Sequence, residues 1–484
     1  MGSSLTPART AIVLGGGVSG LLAARELAAA GHAVTVLEAA DTWGGCVGSH
    51  VVAGLTLDSG AESFATRSTA VADLAAELGL AGRIVAPRPG GAWVQLPDGP
   101  RELPKTGVLG IPANPWDPEV RRSLGLAGSL RASLDKYLPA RFGAAAEVTS
   151  VSALVRARMG RRVLERLVAP VVGGVHSADP GLLDVDMVAP GLRAGIKAHG
   201  SLAAAVAAQR RNAGGPSAAK AGSAVAGLEY GMHTLVTALL SDLQQRGVTL
   251  LSGHPAAAVA RTAGGWRVTA GEEAYDGGLL VVALPGPDAV GLLQAAVPAL
   301  AGRSPEHGPD VRLVTLVVDL PELDRRPRGT GVLVAPQTPG IEAKALTHAT
   351  AKWDWLAAAA GPGTHVLRLS YGRLERAGDG TAPADATLDA AAPATDRDLL
   401  ATALRDASAL LDVPVQDKDV VGWDVVSWQG ALPFAAVGHK ARVAEIRSIC
   451  SAEEGLGIVG GWVAGNGLAA VVFDTRKEVR ALAG

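Results

Sequence analysis

Three observations predict an α/β plus α+β chain. Gly15, Gly17 and Gly20 stand directly between the apolar run Ala11–Leu14 and a helical pattern. Between residues 311 and 430, strand-like runs such as VRLVTLVVDL and HVLRLSYGR alternate with a helix near Asp396–Leu411. Residues 115–172 have mostly helical spacing. Together they predict a Rossmann-like nucleotide-binding domain, a mixed-sheet second domain and a helical subdomain. At 484 residues the chain exceeds one ordinary core, so two or three domains are expected.

The elements follow in order. Ala11–Leu14 is the first strand, GGGVSG the turn, and Leu21–Ala30 a helix that stops at Gly31. Ala33–Leu37 is the next strand, which completes a βαβ unit. Leu55–Leu57 leads into DSGAESF. Residues 209–227 (QRRNAGGPSAAKAGSAVAG) lack periodicity and read as a mobile loop. LEYGMHTLVTALLSDLQQRGVTLL is a helix then a strand, GWRVTA and LLVVALP are strands, and GIVGGWVAGNGLAAVVF is strand, glycine turn and helix. No internal repeat is visible.

Composition narrows the function. Apolar residues are 48% and charged residues 19%, as in a globular protein, and a formal net charge of -2 gives no reason to expect nucleic acid. Cys46 and Cys450 cannot build a disulfide framework or a metal-ligand cluster, so two reduced cysteines of a cytoplasmic protein, with no metal, are expected. Arg9 followed by AIVLGGGVSGLLAA imitates a short signal sequence, but its three consecutive glycines break an apolar helix. MGSSLT fits a loose myristoylation pattern or a plain lead-in. Residues 455–473 carry no charge over a length that could cross a bilayer, yet their glycines suit strand, turn and helix start better than a membrane span.

Gly15, Gly16, Gly17, Val18, Ser19 and Gly20 form the nucleotide loop. The first glycine of GxGxxG permits the turn, the second lets a pyrophosphate approach the backbone, and the third lets helix and strand pack closely. The helix N-terminus supplies unpaired N–H groups for phosphate. Glu38 ends the second strand, 18 residues beyond Gly20, placed for the ribose hydroxyls; its charge disfavours a 2′-phosphate. Gly44, Gly45 and Cys46 come next, then Gly60, Ala61, Glu62 and Ser63 within DSGAES. This order of fingerprint, double glycine and D-x-G-A-E resembles the flavin-dependent amine oxidase superfamily, which implies FAD. Thr42 departs from the arginine usual two residues before the double glycine. GGWVAGNGLAAVV matches the superfamily's second flavin contact, with Gly467 opening a helix aimed at the flavin.

The resemblance narrows further. DSGAESF, LPKTGVLGIPANPW, APVVGGVHSADP, GLEYGMHTLV, WQGALPFAAVGH and GWVAGNGLAAVV occur in the order seen in the oxygen-dependent porphyrinogen oxidases of haem synthesis. The likeness runs from about residue 10 to the C-terminus and is nearest the coproporphyrinogen III oxidase branch of Gram-positive bacteria. It implies a discontinuous FAD-binding domain (1–90, 226–290, 440–484), a substrate-binding domain (91–114, 173–225, 291–439) and a helical subdomain (115–172). It also implies oxidation of coproporphyrinogen III to coproporphyrin III with O₂ reduced to H₂O₂. Carried over by motif, the flavin contacts include Ala39, Val463, Leu468, Ala469 and Ala470, with Trp428 near the flavin and Ala256 on the strand that meets the adenine.

His176, Phe434-Ala435 and Tyr230 replace residues common in the family, in places that touch the substrate pocket. No side chain is firmly catalytic. His176 is a candidate proton acceptor against the plainer reading of a loop histidine, and Tyr371 a candidate pocket residue against that of a strand tyrosine with its hydroxyl satisfied. Residues 117–166 hold ten Arg or Lys against five Asp or Glu. They offer a surface to propionates or to a peripheral anionic membrane, or simply a solvated helical face. The expected partners are the porphyrinogen, O₂ and a ferrochelatase or other haem-pathway protein, with the oligomeric state open. Competing readings are a protoporphyrinogen IX oxidase, another amine-oxidase-type enzyme with Cys450 as covalent flavin ligand, and a non-catalytic flavin-binding assembly protein.

Overall fold

The computed structural model describes residues 9–105, 107–144, 149–212, 225–376, 386–388, 395–430 and 435–484. Its first sheet is parallel and five-stranded, in the order Thr249–Leu251, Ala33–Leu37, Thr10–Leu14, Leu279–Val282, Leu456–Ile458. Successive side chains of a strand point to opposite faces, and Thr10–Leu14 feeds two cores accordingly. Ala11 and Val13 pack with Leu21, Leu22 and Leu27 of the helix Val18–Ala29, Leu235 and Leu239 of the helix His233–Gln245, and Val472 and Val479 of the helix Leu468–Ala483. Ile12 and Leu14 face the other way, with Val259, Trp266 and Val268 of the antiparallel sheet 256–277 and Ile446 and Cys450 of the helix His439–Ser451. Burial on both faces explains why these strands are largely apolar.

The second sheet has seven strands, in the order Val420–Trp428, Val311–Asp319, Thr364–Tyr371, Ala345–His348, Gly331–Val334, Ala92–Leu96, Gly99–Glu102. Only the pair 331–334 with 92–96 is parallel. One face is sealed by the helix Asp396–Leu411, whose Leu399, Ala403 and Leu410 meet Val314, Leu316, Leu367 and Leu369. Thr395 and Asp398 close a reciprocal capping box at that helix's start.

The helical body does not stop at residue 172. Val120, Leu124, Leu154, Leu167 and Val172 share one apolar cluster with Leu192, Ile196, Leu202 and Val206. The helices Leu192–His199 and Leu202–Asn212 therefore share an apolar core with the earlier ones. Inside this body Arg158, wholly buried, places Nε 2.5 Å from Asp135 Oδ1 and donates to the carbonyls of Asp135, Phe142 and Gly200.

The loop expected over 209–227 needs correction at both ends. Gln209–Asn212 finishes a helix, and Val225–Leu228 is a strand paired with Phe64–Ala65 and Ile84–Val85; residues 213–224 lie outside the described part. Residues 455–473 form a short strand, a helical turn at Gly461–Ala464 and the start of the helix Leu468–Ala483. Among the described residues no helix is long and apolar enough to cross a membrane.

Candidate flavin site

The glycine loop sits where the parallel strands end, and each of its glycines meets a different environment. Gly15 has φ +100° and would bring a Cβ within 2.7 Å of Ala283 O, while a Cβ on Gly20 would lie 1.8 Å from Gly15 O. Both positions require glycine for turn and packing. A Cβ on Gly17 meets nothing within 4 Å, so this glycine keeps open a path to the backbone. No side chain caps the helix Val18–Ala29 that starts there. An uncapped helix N-terminus behind an open glycine fits a pyrophosphate.

Two further segments close on this loop. Gly44 donates its N–H to Gly16 O at 2.8 Å, and its φ of +104° lets the double glycine lie alongside Gly17. Trp43 packs over Gly16, whereas Thr42 is exposed. Glu38 Oε2 accepts from Gly16 N at 2.5 Å and Oε1 from Ala40 N at 2.8 Å, which fixes the carboxylate at the lip of the turn. Ala39 lies between these anchors. His254 N reaches Glu38 O at 2.8 Å, which brings the segment leading to Ala256 beside the same lip.

DSGAES is held from all sides. Asp58 accepts from Met232 N at 2.9 Å and His233 N at 3.0 Å, so it secures the start of the helix His233–Gln245. Trp428 Nε1 donates to Ser59 O at 2.9 Å, Arg368 Nη1 to Gly60 O at 2.8 Å, and Ala61 N to Cys46 O at 2.8 Å. Glu62 ion-pairs with Lys352 and, at 3.2 Å, with Arg368. Burial opposes its ionisation, but Lys352 and then Arg368 overcome this and hold the carboxyl down to about 2. Ser63 continues this segment into the strand Phe64–Ala65. The glycine turn of Gly465 and Gly467 (φ +98° and +104°) then opens the helix Leu468–Ala483. Leu468 and Ala469 pack against the core of the glycine-loop helix, and Ala470 N returns to Gly467 O. Val463, on the preceding helical turn, is buried.

The remaining candidates separate. His176 is buried at the C-terminal end of the helix Ala169–His176, with Nδ1 2.8 Å from Asn466 Nδ2; burial pushes its pKa down to about 4. It therefore reaches the glycine turn. Tyr371 does not: its ring lies in the sheet–helix core, its hydroxyl is 3.4 Å from Asp406 Oδ2, and burial raises its pKa. Tyr230 sits at the surface. It is 53% exposed at φ +69°, with Trp355 at 6.1 Å and Arg83 at 5.8 Å from its ring. Phe434 lies outside the described residues, while Ala435 is buried against the helical body. Cys450 is buried in the core, its thiol pushed up to about 12 by burial and then by Glu478, which is no setting for a flavin linkage. In the basic stretch, Arg131, Arg158, Arg161, Arg162 and Arg166 are tied to carbonyls or carboxylates of neighbouring elements.

Sequence reasoning missed Lys352, Arg368, Asp58 and Asn466 as supports. One signal was available: Arg368 interrupts an apolar strand, and a buried cation calls for an acid.

The model of the flavin containing amine oxidoreductases matches residues 18–440. The chain is 30% identical to a coproporphyrinogen III oxidase of Mycobacterium leprae over 98% of both chains, and 25% identical to the Bacillus subtilis enzyme of that name over 94% of both. Among solved structures, a protein of Exiguobacterium sp. 255-15 assigned as a protoporphyrinogen oxidase superposes with a TM-score of 0.80 at 22% identity, covering 99% of each chain. Cyclohexylamine oxidase from Brevibacterium oxydans gives 0.66 at 15% identity, also covering 99% of each. These likenesses in structure concern the fold.

Proposed function

This chain belongs to the flavin containing amine oxidoreductase family and is an FAD-dependent oxidoreductase, and on that premise we propose that it oxidises coproporphyrinogen III to coproporphyrin III. The observation that carries the reading is similarity over nearly the full length to coproporphyrinogen III oxidases, combined with a glycine loop, Glu38 and DSGAES brought together through Gly44 and Cys46. The overall reaction removes six electrons and six protons from the macrocycle, and three O₂ become three H₂O₂. Bound at these segments, the flavin would supply hydride acceptance and the return of electrons to O₂.

The chain's own residues hold and orient. Gly15 to Gly20 and the helix behind them receive the pyrophosphate, and Glu38 receives the adenosine ribose. Gly44 to Cys46 and Gly60 to Ser63 line the path toward the ring system, with Trp428 and Arg368 fixing the carbonyls of Ser59 and Gly60. Gly467 to Ala470 present a helix N-terminus, whose partial positive charge favours a reduced, anionic flavin. The mixed sheet and the helical body supply the walls for the porphyrinogen, the glycine-loop body holds the FAD, and the setting is the cytoplasm.

The test mixes FAD-saturated protein with coproporphyrinogen III or protoporphyrinogen IX in air and darkness, following porphyrin fluorescence and peroxide. Faster formation of coproporphyrin with stoichiometric peroxide supports the reading. A preference for protoporphyrinogen would transfer it to that substrate. No acceleration over the blank with either would refute it.

A further inference from the structure

A buried lysine lies beside the site without a carboxylate. Lys344 is 3% exposed in the seven-stranded sheet, its N–H on Ser370 O and its carbonyl taken by Val334 N. Its ammonium donates to Ser177 Oγ and, at 2.9 Å, to Gly372 O. Among the described residues no Asp or Glu forms an ion pair with it; the charged neighbour is Arg373. Burial and then Arg373 bring its pKa down to about 7. Placing an ammonium this deep on two neutral acceptors is costly, and an apolar residue would fill the same sheet position without that cost.

What Lys344 holds is unusual in turn. Ser177 is buried and left-handed, at φ +52°, a conformation that non-glycine residues keep only when their surroundings impose it. It ends the helix Ala169–His176, which lies tight on the sheet: a Cβ on Gly174 would come within 2.6 Å of Leu333 Cδ2. The residue before it is His176, whose Nδ1 accepts from Asn466 Nδ2. The proton of this neutral imidazole therefore sits on Nε2. No described residue bonds Nε2, which leaves a donor directed away from Asn466.

We propose that Lys344 is a positioning residue: through Ser177 it sets the His176 ring against Asn466, so that Nε2–H meets an acceptor of the substrate, a propionate carboxylate. This rests on the porphyrinogen reading and adds a specificity element to it, since the lysine sits on the substrate sheet and Asn466 at the glycine turn of the flavin side. The geometry links the two bodies through one imidazole.

The experiment compares Lys344→Met, Ser177→Ala and His176→Phe, singly and as the Lys344→Met/His176→Phe double variant, all FAD-loaded. A lost hydrogen bond to a charged group is expected to raise KM for coproporphyrinogen III about tenfold, with kcat within about twofold. The double variant should be no worse than His176→Phe alone, because Lys344 acts through that ring. The imidazole ¹H–¹³C signal of His176 should shift in both Lys344→Met and Ser177→Ala. Ser177→Ala removes only a hydroxyl and keeps the test alive if Lys344→Met fails to fold. An unmoved His176 signal in Ser177→Ala, or effects on KM that multiply in the double variant, overturns the proposal. If the unaltered protein turns over neither porphyrinogen, the functional reading falls, while the His176 signal still decides what Lys344 positions.

Discussion

Replacing Glu62 by Gln isolates the electrostatics that hold DSGAES in place. Glu62 is side-chain buried between Lys352 and Arg368, with its carboxyl held at about 2 instead of the ordinary 4.5. Lowering the carboxyl from 4.5 to about 2 corresponds to roughly 3.5 kcal/mol, at about 1.4 kcal/mol per tenfold change in acidity. Since the folded value lies below the unfolded one, the contribution is complete above about pH 4.5 and disappears as pH falls through about 2. Glutamine keeps the shape, removes the charge and leaves two cations facing a neutral amide. The variant should lose roughly 3.5 kcal/mol at pH 7, and its deficit should shrink steadily between pH 4.5 and 2. Urea unfolding followed by flavin and tryptophan fluorescence at pH 7, 5 and 3 measures this, with the Trp428 neighbourhood reporting locally. Equal stability of both proteins at pH 7, or a deficit that does not change toward pH 3, would refute the ion-triplet account.

Three other outcomes are expected. Gly17→Val places its side chain in open space, so the protein should fold with nearly unchanged melting temperature yet retain less than about a tenth of its FAD, read from the 450 to 280 nm absorbance ratio. Arg158→Leu strands the buried Asp135 and should cost about 3–5 kcal/mol in chemical denaturation, whereas removing both charges in Arg158→Leu/Asp135→Leu should recover a large part of it. Acid precipitation of the holoprotein should release all FAD to the supernatant, and Cys450→Ala should not alter that result, since this thiol is sealed in the core; flavin remaining in the pellet would contradict its placement.

What the sequence disclosed about fold and site follows the reach of its signals. Gly15, Gly17, Gly20 and Glu38 could be related because a βαβ unit brings them together within about 30 residues. Asp58 and His233, by contrast, are 175 positions apart, His176 and Asn466 are 290, and Gly60 and Arg368 are 308. No local periodicity encodes such pairings. The helical body shows the same limit: spacing identified helices beyond residue 172 no better than it told which core would bury them. Tyr230 illustrates a third gap. Its departure from glycine was visible, but its exposed left-handed placement beside Arg83 and Trp355 depends on a turn fixed by Asp58.

The pairing of Leu456–Ile458 with Leu279–Val282, and the packing of the helix Leu468–Ala483 on the helix Val18–Ala29, bear on how the protein is made. During synthesis the glycine loop emerges long before the sheet edge and the helix that flank it. A nascent chain thus displays Gly15 to Gly20 throughout the synthesis of residues 21–455, before the strand and helix that flank them are made. Cofactor capture is placed after synthesis of this region, and a ribosome-bound fragment ending before residue 456 leaves one edge of Leu279–Val282, whose other edge pairs with Thr10–Leu14, in need of shielding until its partner arrives.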